Sequence, residues 1–294
     1  MPSRNLLICF DAFGTLFKPR YPVAQQYGDV ARSFGLSGFT NEEVSSSFKA
    51  AFKKESKQNP NYGKANGMNP EKWWTNIITN TFKPLIPLDH TIPHGMVPKL
   101  LYRFRCDEGY ILFEDVQPLV RKLREAHKAE DTRVVIGVIT NSDDRVPDIL
   151  TSFALKVSPL QYGKHNAKSS VIAEHGQYDF DFSVMSYDVG HEKPDKRIFE
   201  AAEEVLRTAL LGAGGGKLEE WRKVYIGDEY EKDVVGALNA GWNAVLIDRE
   251  TAGQREGLQW LDEKPVGSLY DVFQHSRAVG LSSLEKLGQW FPSR

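Results

Sequence analysis

Residues 6–16 decide the fold, and they read Leu6-Leu7-Ile8-Cys9-Phe10-Asp11-Ala12-Phe13-Gly14-Thr15-Leu16. The run opens with five apolar residues, too few to cross a membrane and typical of a strand buried on both faces of a parallel sheet. The strand ends on a carboxylate, and Gly14 lets the chain turn directly afterwards. Because open parallel sheets bind ligands at the carboxyl ends of their strands, we expect Asp11 to lie at the bottom of a site.

The chain after Tyr110 alternates between apolar strands and helices. The pattern predicts strands at 133–139, 182–186, 223–226 and 242–247, and helices at 116–127, 145–153, 195–210 and 233–240. Such alternation is typical of βαβ units, so we expect an α/β fold, a doubly wound parallel sheet with helices on both faces. Residues 156–181 are polar and irregular and predict a long loop. A single helix at 284–291 is expected near the C-terminus.

Residues 20–108 have a different pattern, with helices and no strand. Helices are predicted at 23–34, 40–57, 71–82 and 94–106. Thr40 and Glu43 have the spacing of a capping box at the start of the second helix. We therefore expect two domains, a core made of residues 1–19 and 109–294 and a helical cap made of residues 20–108. Linkers rich in proline or turn residues flank this insertion, so the cap is expected to move and close over the core.

Composition narrows the classes of protein. The 294 residues are 41% hydrophobic and 26% charged with a net charge of -2, so neither a nucleic-acid nor a membrane partner is indicated. No apolar run approaches the roughly 18 residues of a membrane helix, and no signal-peptide pattern opens the chain. The two cysteines, Cys9 and Cys106, are expected to be thiols, which fits a cytoplasmic or nuclear protein.

Polar residues also occur at the ends of two further predicted strands and at the start of one predicted helix. The strand ending at Ile139 is followed by Thr140-Asn141, Lys193-Pro194 opens a helix, and the strand ending at Ile226 is followed by Gly227-Asp228 and then Asp233. Each feature alone has a common structural explanation, such as a helix N-cap or a turn. Their joint occurrence at strand ends and helix starts, in this order, points to one site.

These four motifs together resemble those of the haloacid dehalogenase-like hydrolases. The resemblance implies a Rossmann-like core with an inserted all-helical cap of the first type, and a small phosphorylated substrate. It assigns Asp11 as the nucleophile, Thr140 as the phosphoryl-binding hydroxyl and Lys193 as the neutralising ammonium. Mg²⁺ is the implied cofactor, held by Asp11, Asp228 and the carbonyl of Phe13, with Asp233 orienting Lys193 or a metal-bound water. Substrate contacts are expected from Asn141, Phe13, Gly14 and Thr15.

Phe13 departs from the family pattern, which has a second Asp at this position as general acid and base. The resemblance therefore implies a slow or atypical phosphohydrolase, since such a group contributes about 10²–10⁴-fold. Bacterial 2-haloacid dehalogenases have a very similar first motif and need neither acid nor metal, but they replace the first Asp of the fourth motif, which this chain keeps as Asp228. A member that binds a ligand or protein without hydrolysis is the third hypothesis.

Two further stretches have specific interpretations. Asn59-Pro60-Asn61-Tyr62-Gly63, then Gly67 and Trp73-Trp74, resembles a eukaryotic branch of the same family that also lacks the second Asp. Tyr62 and Trp73 are expected to line the cap side of the substrate pocket. The glycine-rich run at 212–217 looks like a phosphate loop, but it follows a helix and lacks the Ser or Thr after its Lys, so we interpret it as a linker.

Overall fold

The computed structural model describes residues 4–127, 132–164, 177–212, 218–251, 256–263 and 268–291. The chain divides into two compact units. A sheet unit comprises Met1–Lys18, Leu112–Asn141 and Ala154–Arg294, and a helical unit comprises Pro19–Ile111 and Ser142–Phe153. The second segment of the helical unit was expected in the core. Its buried Arg145 packs over the Trp74 ring of the helical unit.

Strands form two sheets within the described residues. The strands are β1 (Arg4–Phe10), β2 (Phe17–Pro19), β3 (Tyr110–Leu112), β4 (Thr132–Thr140), β5 (Phe182–Met185), β6 (Trp221–Gly227), β7 (Asn243–Ile247), β8 (Gln259–Trp260) and β9 (Ala278–Leu281). Seven of them form a sheet in the order β5-β4-β1-β6-β7-β9-β8, paired in parallel throughout, and β2 pairs with β3. The predicted parallel sheet is confirmed.

Helices of the described residues are α1 (Val23–Ser33), α2 (Asn41–Gln58), α3 (Pro70–Phe82), α4 (Met96–Arg103), α5 (Val116–His127), α6 (Arg145–Ser152), α7 (Ser186–Val189), α8 (Arg197–Gly212), α9 (Gly236–Asn239), α10 (Leu269–His275) and α11 (Leu284–Gly288). Residues Tyr230–Val235 add a π-helical turn before α9. No described helix has the length and apolar character needed to cross a membrane.

The sheet is buried on both faces, as its apolar strands predict. Leu7 and Cys9 of β1 lie in a core cluster with residues of α8 such as Phe199. Their neighbours Ile8 and Phe10 are also buried and point to the opposite face, because strand side chains alternate. The chain adds β4 and β5 on one side of β1 and then returns to add β6 and β7 on the other. This reversal places the binding crevice of an open sheet at the carboxyl end of β1.

The helical unit forms where the sequence predicts helices. The capping box at the start of α2 is confirmed, because Thr40 Oγ1 accepts from the backbone N–H of Glu43 and a Glu43 carboxylate oxygen accepts from that of Thr40. The last predicted helix, 94–106, is shorter in the structure, where Gly95 adopts a φ of 89° immediately before α4. Aromatic rings fill the interior, including Tyr27 stacked on Phe82 with centroids 6.2 Å apart.

The C-terminal region contains more structure than the single predicted helix. Strand β9 inserts between β7 and β8, and α10 precedes it, starting from a capping box of Ser268 and Asp271. The two-residue strand β8 is too short for any periodic signal. Of the two irregular stretches noted in the sequence, residues 165–176 of the 156–181 loop and residues 213–217 of the glycine-rich run lie outside the described residues.

Candidate active site

Asp11 lies directly beyond β1, the strand around which the sheet reverses. Its backbone N–H donates to the carbonyl of Ile226 at 2.8 Å, and its side chain is buried. Phe10 pairs with Val138 of β4 on one side and with Ile226 of β6 on the other. If both pairings are continued by one residue, Asp11 lies level with Ile139 and Gly227. Thr140 and Asp228 are each the next residue along the chain. The first, second and fourth sequence motifs therefore meet at one edge of the sheet.

Lys193 joins the third motif to this edge. Its Nζ lies 2.9 Å from Oδ1 of Asp11 and 2.7 Å from Oδ1 of Asp233, and it donates to the hydroxyl of Tyr225 at 2.7 Å. The side chain is buried. Burial alone would lower the pKa of this ammonium, but Asp11 and Asp233 outweigh it and raise the pKa. Lys193 therefore stays charged and holds the nucleophile candidate in place.

Asn141 fixes the backbone of Lys193. Its Oδ1 accepts from the Lys193 N–H at 2.6 Å, and its Nδ2 donates to the Lys193 carbonyl at 3.0 Å. The predicted contact of Asn141 with substrate stays a prediction. What the structure adds is a link from the residue after Thr140 to the backbone of Lys193.

Asp228 is held by the turn that follows Asp11. Thr15 Oγ1 donates to Oδ1 of Asp228 at 2.8 Å. Gly14 has a φ of 82°, and a Cβ built on it would lie 2.2 Å from Oδ2 of Asp228, so only glycine fits. Burial raises the pKa of Asp228 to about 6. The Thr15 hydrogen bond opposes this shift of the pKa, and the charge of Asp11 adds to it.

Asp233 sits in the π-helical turn and supports the site with both carboxylate oxygens. Oδ1 pairs with Lys193, and Oδ2 accepts from the Glu229 backbone N–H at 2.8 Å. A Cβ at Gly227 would lie 2.2 Å from Oδ2, so the strand end must be glycine for Asp233 to fold inward. Burial raises the pKa of Asp233, although the charge of Lys193 opposes it. These contacts favour the predicted orienting role over direct metal ligation.

The carboxylates fit a divalent cation. Asp11, Asp228 and Asp233 each offer an oxygen, and these oxygens lie within 4.8 Å of one another. Lys193 pairs with Asp11 and Asp233, and the carboxylate of Asp228 adds a third acidic group, so this cluster of described residues has excess negative charge. Hard oxygen ligands and excess negative charge are the conditions that Mg²⁺ requires, usually with several waters retained. The carbonyl of Phe13 stays a predicted ligand.

The aromatic residues predicted to contact substrate make ring contacts within their own units. The Phe13 ring packs edge-on against the buried ring of Phe17, with centroids 4.8 Å apart. Tyr62 and Trp73 belong to the helical unit and contact each other at 4.9 Å between centroids. Trp73 is buried and donates from Nε1 to the carbonyl of Asn59, as a core residue does. Their substrate contacts stay predictions.

Two groups of polar contacts in the structure are not among the sequence predictions. The sequence around Tyr225 indicates only a core residue of a strand. The structure shows that its hydroxyl accepts a hydrogen bond from Lys193. The second group joins Trp74, Asp143 and Arg145 in the helical unit, where Trp74 Nε1 donates to Asp143 at 2.9 Å and Arg145 Nε donates to it at 2.7 Å. A charged pair directly after the second motif, in Asp143-Asp144-Arg145, was the available signal.

A site of this kind, with an aspartate after the first strand of a reversing parallel sheet and a buried lysine beside it, defines a class of hydrolases. The chain belongs to the haloacid dehalogenase-like hydrolases, because the model of that family matches residues 6–241. An uncharacterized hydrolase of Schizosaccharomyces pombe is 30% identical over 255 residues, covering 85% of this chain and 96% of that protein. The haloacid dehalogenase-like hydrolase domain-containing protein 3 of Danio rerio is 27% identical over 266 residues, covering 88% and 94%. The predicted family and its eukaryotic branch are confirmed.

Solved structures with the same fold include proteins of two chemistries. A defluorinating L-2-haloacid dehalogenase matches with a TM-score of 0.59 at 15% identity, covering 100% of each chain. A phosphatase of this family from Thermococcus onnurineus matches with a TM-score of 0.53 at 18% identity, covering 96% of this chain and 95% of that one. At these identities the likeness shows the fold alone, and it confirms the predicted fold class.

Proposed function

We propose that this protein is a Mg²⁺-dependent phosphohydrolase that acts on a small phosphorylated metabolite through an aspartyl-phosphate at Asp11. The observation that carries the proposal is the group of Asp11, Asp228 and Asp233, in which Asp11 and Asp233 are buried and pair with Lys193 and Asp228 is half-buried. A carboxylate cluster of this charge repels an anionic substrate unless a cation accompanies it. Mg²⁺ would offset the excess negative charge of this group and so allow a substrate phosphate to approach Asp11.

In the proposed reaction Asp11 is the nucleophile, and the residues around it position this carboxylate and stabilise the charge of the phosphoryl group. Lys193 holds one oxygen of Asp11 at 2.9 Å, which leaves the other oxygen to attack phosphorus. The P–O bond to Asp11 forms as the bond to the leaving oxygen breaks, and that oxygen departs with the electron pair. Thr140 supplies a hydroxyl to a phosphoryl oxygen. Asp11, Asp228 and the Phe13 carbonyl would hold Mg²⁺, which would supply positive charge against the phosphoryl oxygens. Water then attacks the aspartyl-phosphate and releases inorganic phosphate.

Phe13 makes both steps slow. Its ring cannot give a proton to the leaving oxygen or take one from the attacking water, so these protons exchange with solvent. The missing contribution of a positioned acid and base is about 10²–10⁴-fold. Positioning and electrostatic stabilisation are the larger effects in phosphoryl transfer, so a substrate whose leaving group needs no proton is still hydrolysed.

Dehalogenation of a 2-haloacid is the second candidate, and Phe13 is the observation that favours it. A halide leaves without a proton, so an apolar residue at this position costs nothing in that reaction. The retained carboxylate of Asp228, 2.8 Å from Thr15, argues against it. A metal-free dehalogenase would have to place an anionic haloacid beside an uncompensated carboxylate.

A substrate screen with matched variants tests the proposal. Wild type, Asp11→Asn and Glu229→Gln are assayed against phosphorylated metabolites and 2-haloacids, with Mg²⁺ and with EDTA. Glu229 is the control because it is an exposed carboxylate next to Asp228. Release of phosphate that needs Mg²⁺ and Asp11 but not Glu229 is expected. Halide release that persists in EDTA would establish the alternative, and no release of either product would favour a protein that only binds.

A further inference from the structure

Tyr225 is a buried core residue whose hydroxyl makes two hydrogen bonds. The ring lies in β6 and packs edge-on against Phe199 of α8, with centroids 5.1 Å apart. The hydroxyl lies 2.7 Å from Nζ of Lys193 and 2.6 Å from the carbonyl oxygen of Ile139. Ile139 immediately precedes Thr140, so this single oxygen links the ends of two strands to the lysine.

The direction of each hydrogen bond follows from the chemistry of the partners. A carbonyl oxygen only accepts, so the Tyr225 hydroxyl donates its proton to Ile139. Its lone pairs then face Lys193, whose ammonium only donates. This ammonium donates hydrogen bonds to Asp233 and Tyr225 and forms an ion pair with Asp11 at 2.9 Å. Tyr225 is the neutral partner, and it sets the rotation of the ammonium about its bond to the side chain.

The phenol keeps its proton under this arrangement. Burial raises the pKa of Tyr225 well above its usual value, and the charges of Asp11 and Asp233 raise it further. The hydroxyl is therefore a permanent donor to Ile139 and a permanent acceptor for Lys193.

We propose that Tyr225 is a positioning residue, which anchors the Lys193 ammonium to the end of β4 and thereby fixes the orientation of the Asp11 carboxylate. The catalytic part of this inference rests on the proposed phosphohydrolase function. Without the hydroxyl, the ammonium has only the two carboxylates as partners and settles between them, which turns Asp11 away from the geometry of attack. The carbonyl of Ile139 also loses the hydrogen bond from this hydroxyl, next to Thr140.

Tyr225→Phe tests the proposal because it removes the hydroxyl and keeps the ring against Phe199. The matched control is Trp242→Phe, since Trp242 is buried in the same core cluster, donates from Nε1 to Glu203, and has no part in the site. We expect kcat of Tyr225→Phe on p-nitrophenyl phosphate to fall about tenfold or more, as is usual for a lost hydrogen bond to a charged group, with KM nearly unchanged. Trp242→Phe should lower thermal stability and leave kcat unchanged.

A second measurement reads the ammonium itself and needs no activity. Buried, hydrogen-bonded lysine ammonium protons exchange slowly enough for ¹H–¹⁵N NMR, and the Lys193 signal is assigned by its loss in Lys193→Gln. Tyr225→Phe should shift this signal and speed its exchange, whereas Trp242→Phe should not. If Tyr225→Phe does not fold, 3,5-difluorotyrosine placed at position 225 keeps the hydroxyl, weakens it as an acceptor, and should produce the same changes to a smaller degree.

The outcomes separate the two proposals. An unchanged Lys193 signal in Tyr225→Phe overturns the anchoring role, whatever the kinetics. A changed signal with unchanged kcat, or an effect confined to KM, overturns the catalytic part. Absence of phosphate release by the wild type refutes the proposed function, and the NMR comparison still decides whether Tyr225 anchors Lys193.

Discussion

The hydroxyl of Thr15 donates to Oδ1 of Asp228 at 2.8 Å, although the two residues are 213 positions apart in the chain. The turn after β1 and the loop after β6 therefore hold each other directly. Gly14, between Asp11 and this contact, passes so close to Asp228 that no side chain fits there. The two carboxylates proposed to bind Mg²⁺ are thus positioned by one turn of four residues.

Gly14→Ala should damage the metal site more than the fold. The new Cβ would lie 2.2 Å from Oδ2 of Asp228 and must displace that carboxylate. Gly35→Ala is the matched control, since Gly35 has a similar φ of 86° and nothing within 4 Å of its built Cβ. Both variants should lose similar stability from backbone strain, about 1–2 kcal/mol. Only Gly14→Ala should lose Mg²⁺ affinity in calorimetry, by about tenfold or more, and an equal loss in both would show that strain alone is responsible.

Asp228→Asn should weaken Mg²⁺ binding by roughly 100-fold or more, because even a residue that only supports a metal ligand commonly contributes 10–100-fold. The amide keeps the size of the side chain and can still accept from Thr15, so the turn should survive. Glu229→Gln serves as the control from the same loop. Calorimetry with Mg²⁺ on the three proteins gives the comparison, and equal affinity in Asp228→Asn and the wild type would remove Asp228 from the proposed site.

The strand ends could be predicted because each combines two local signals. An apolar run leads into a polar residue at Asp11, at Thr140 and, after one glycine, at Asp228. In the structure Asp11 and Asp228 directly follow β1 and β6, and Thr140 is the last residue of β4. Lys193 was predicted from its motif, and the structure brings it to Asp11. Such signals are local in sequence, so no long-range information was needed to find them.

The contacts absent from the sequence predictions join residues that are far apart in the chain and close only in the fold. A tyrosine in an apolar strand is typical of the core, and nothing local reveals that the hydroxyl of Tyr225 meets Lys193. The segment 142–153 belongs to the predicted core, which takes in all residues from 109 onward, whereas in the structure it groups with the helical unit, where Arg145 packs over Trp74. Strand β8, with two residues, is shorter than one period of any pattern.

Arg145→Met should destabilise the helical unit strongly. Asp143 is fully buried, and Arg145 Nε donates to its Oδ1 at 2.7 Å. Removing the guanidinium leaves a buried carboxylate with the indole of Trp74 as its remaining side-chain donor, which typically costs about 3–5 kcal/mol. Arg105→Met is the control, because its pairs with Asp144 and Asp148 are partly exposed and such pairs contribute about 0–1 kcal/mol. The free energy of unfolding of both variants is measured by urea unfolding followed by tryptophan fluorescence. Similar losses in the two variants would show that the Arg145–Asp143 pair contributes no more than the exposed pairs of Arg105.

Phe13→Asp should raise phosphatase turnover if the missing acid and base limit hydrolysis. An Asp two residues after the nucleophile could protonate the leaving oxygen and then activate water, with a gain of at most about 10²–10⁴-fold. An alkyl phosphate should gain more than p-nitrophenyl phosphate, whose leaving group is a weak base that needs little protonation. The pair of substrates therefore identifies acid catalysis rather than a general improvement.

Phe13→Ala is the control for this last experiment, because the ring of Phe13 packs on Phe17 at 4.8 Å and any replacement loses that contact. Such an aromatic pair contributes about 0.5–1.5 kcal/mol, so both variants should melt at slightly lower temperature than the wild type. Only Phe13→Asp should gain turnover on the alkyl phosphate. If it folds, binds Mg²⁺ and gains no more than Phe13→Ala, the absent carboxylate is not what limits this hydrolase, and the slow step must lie elsewhere in the site.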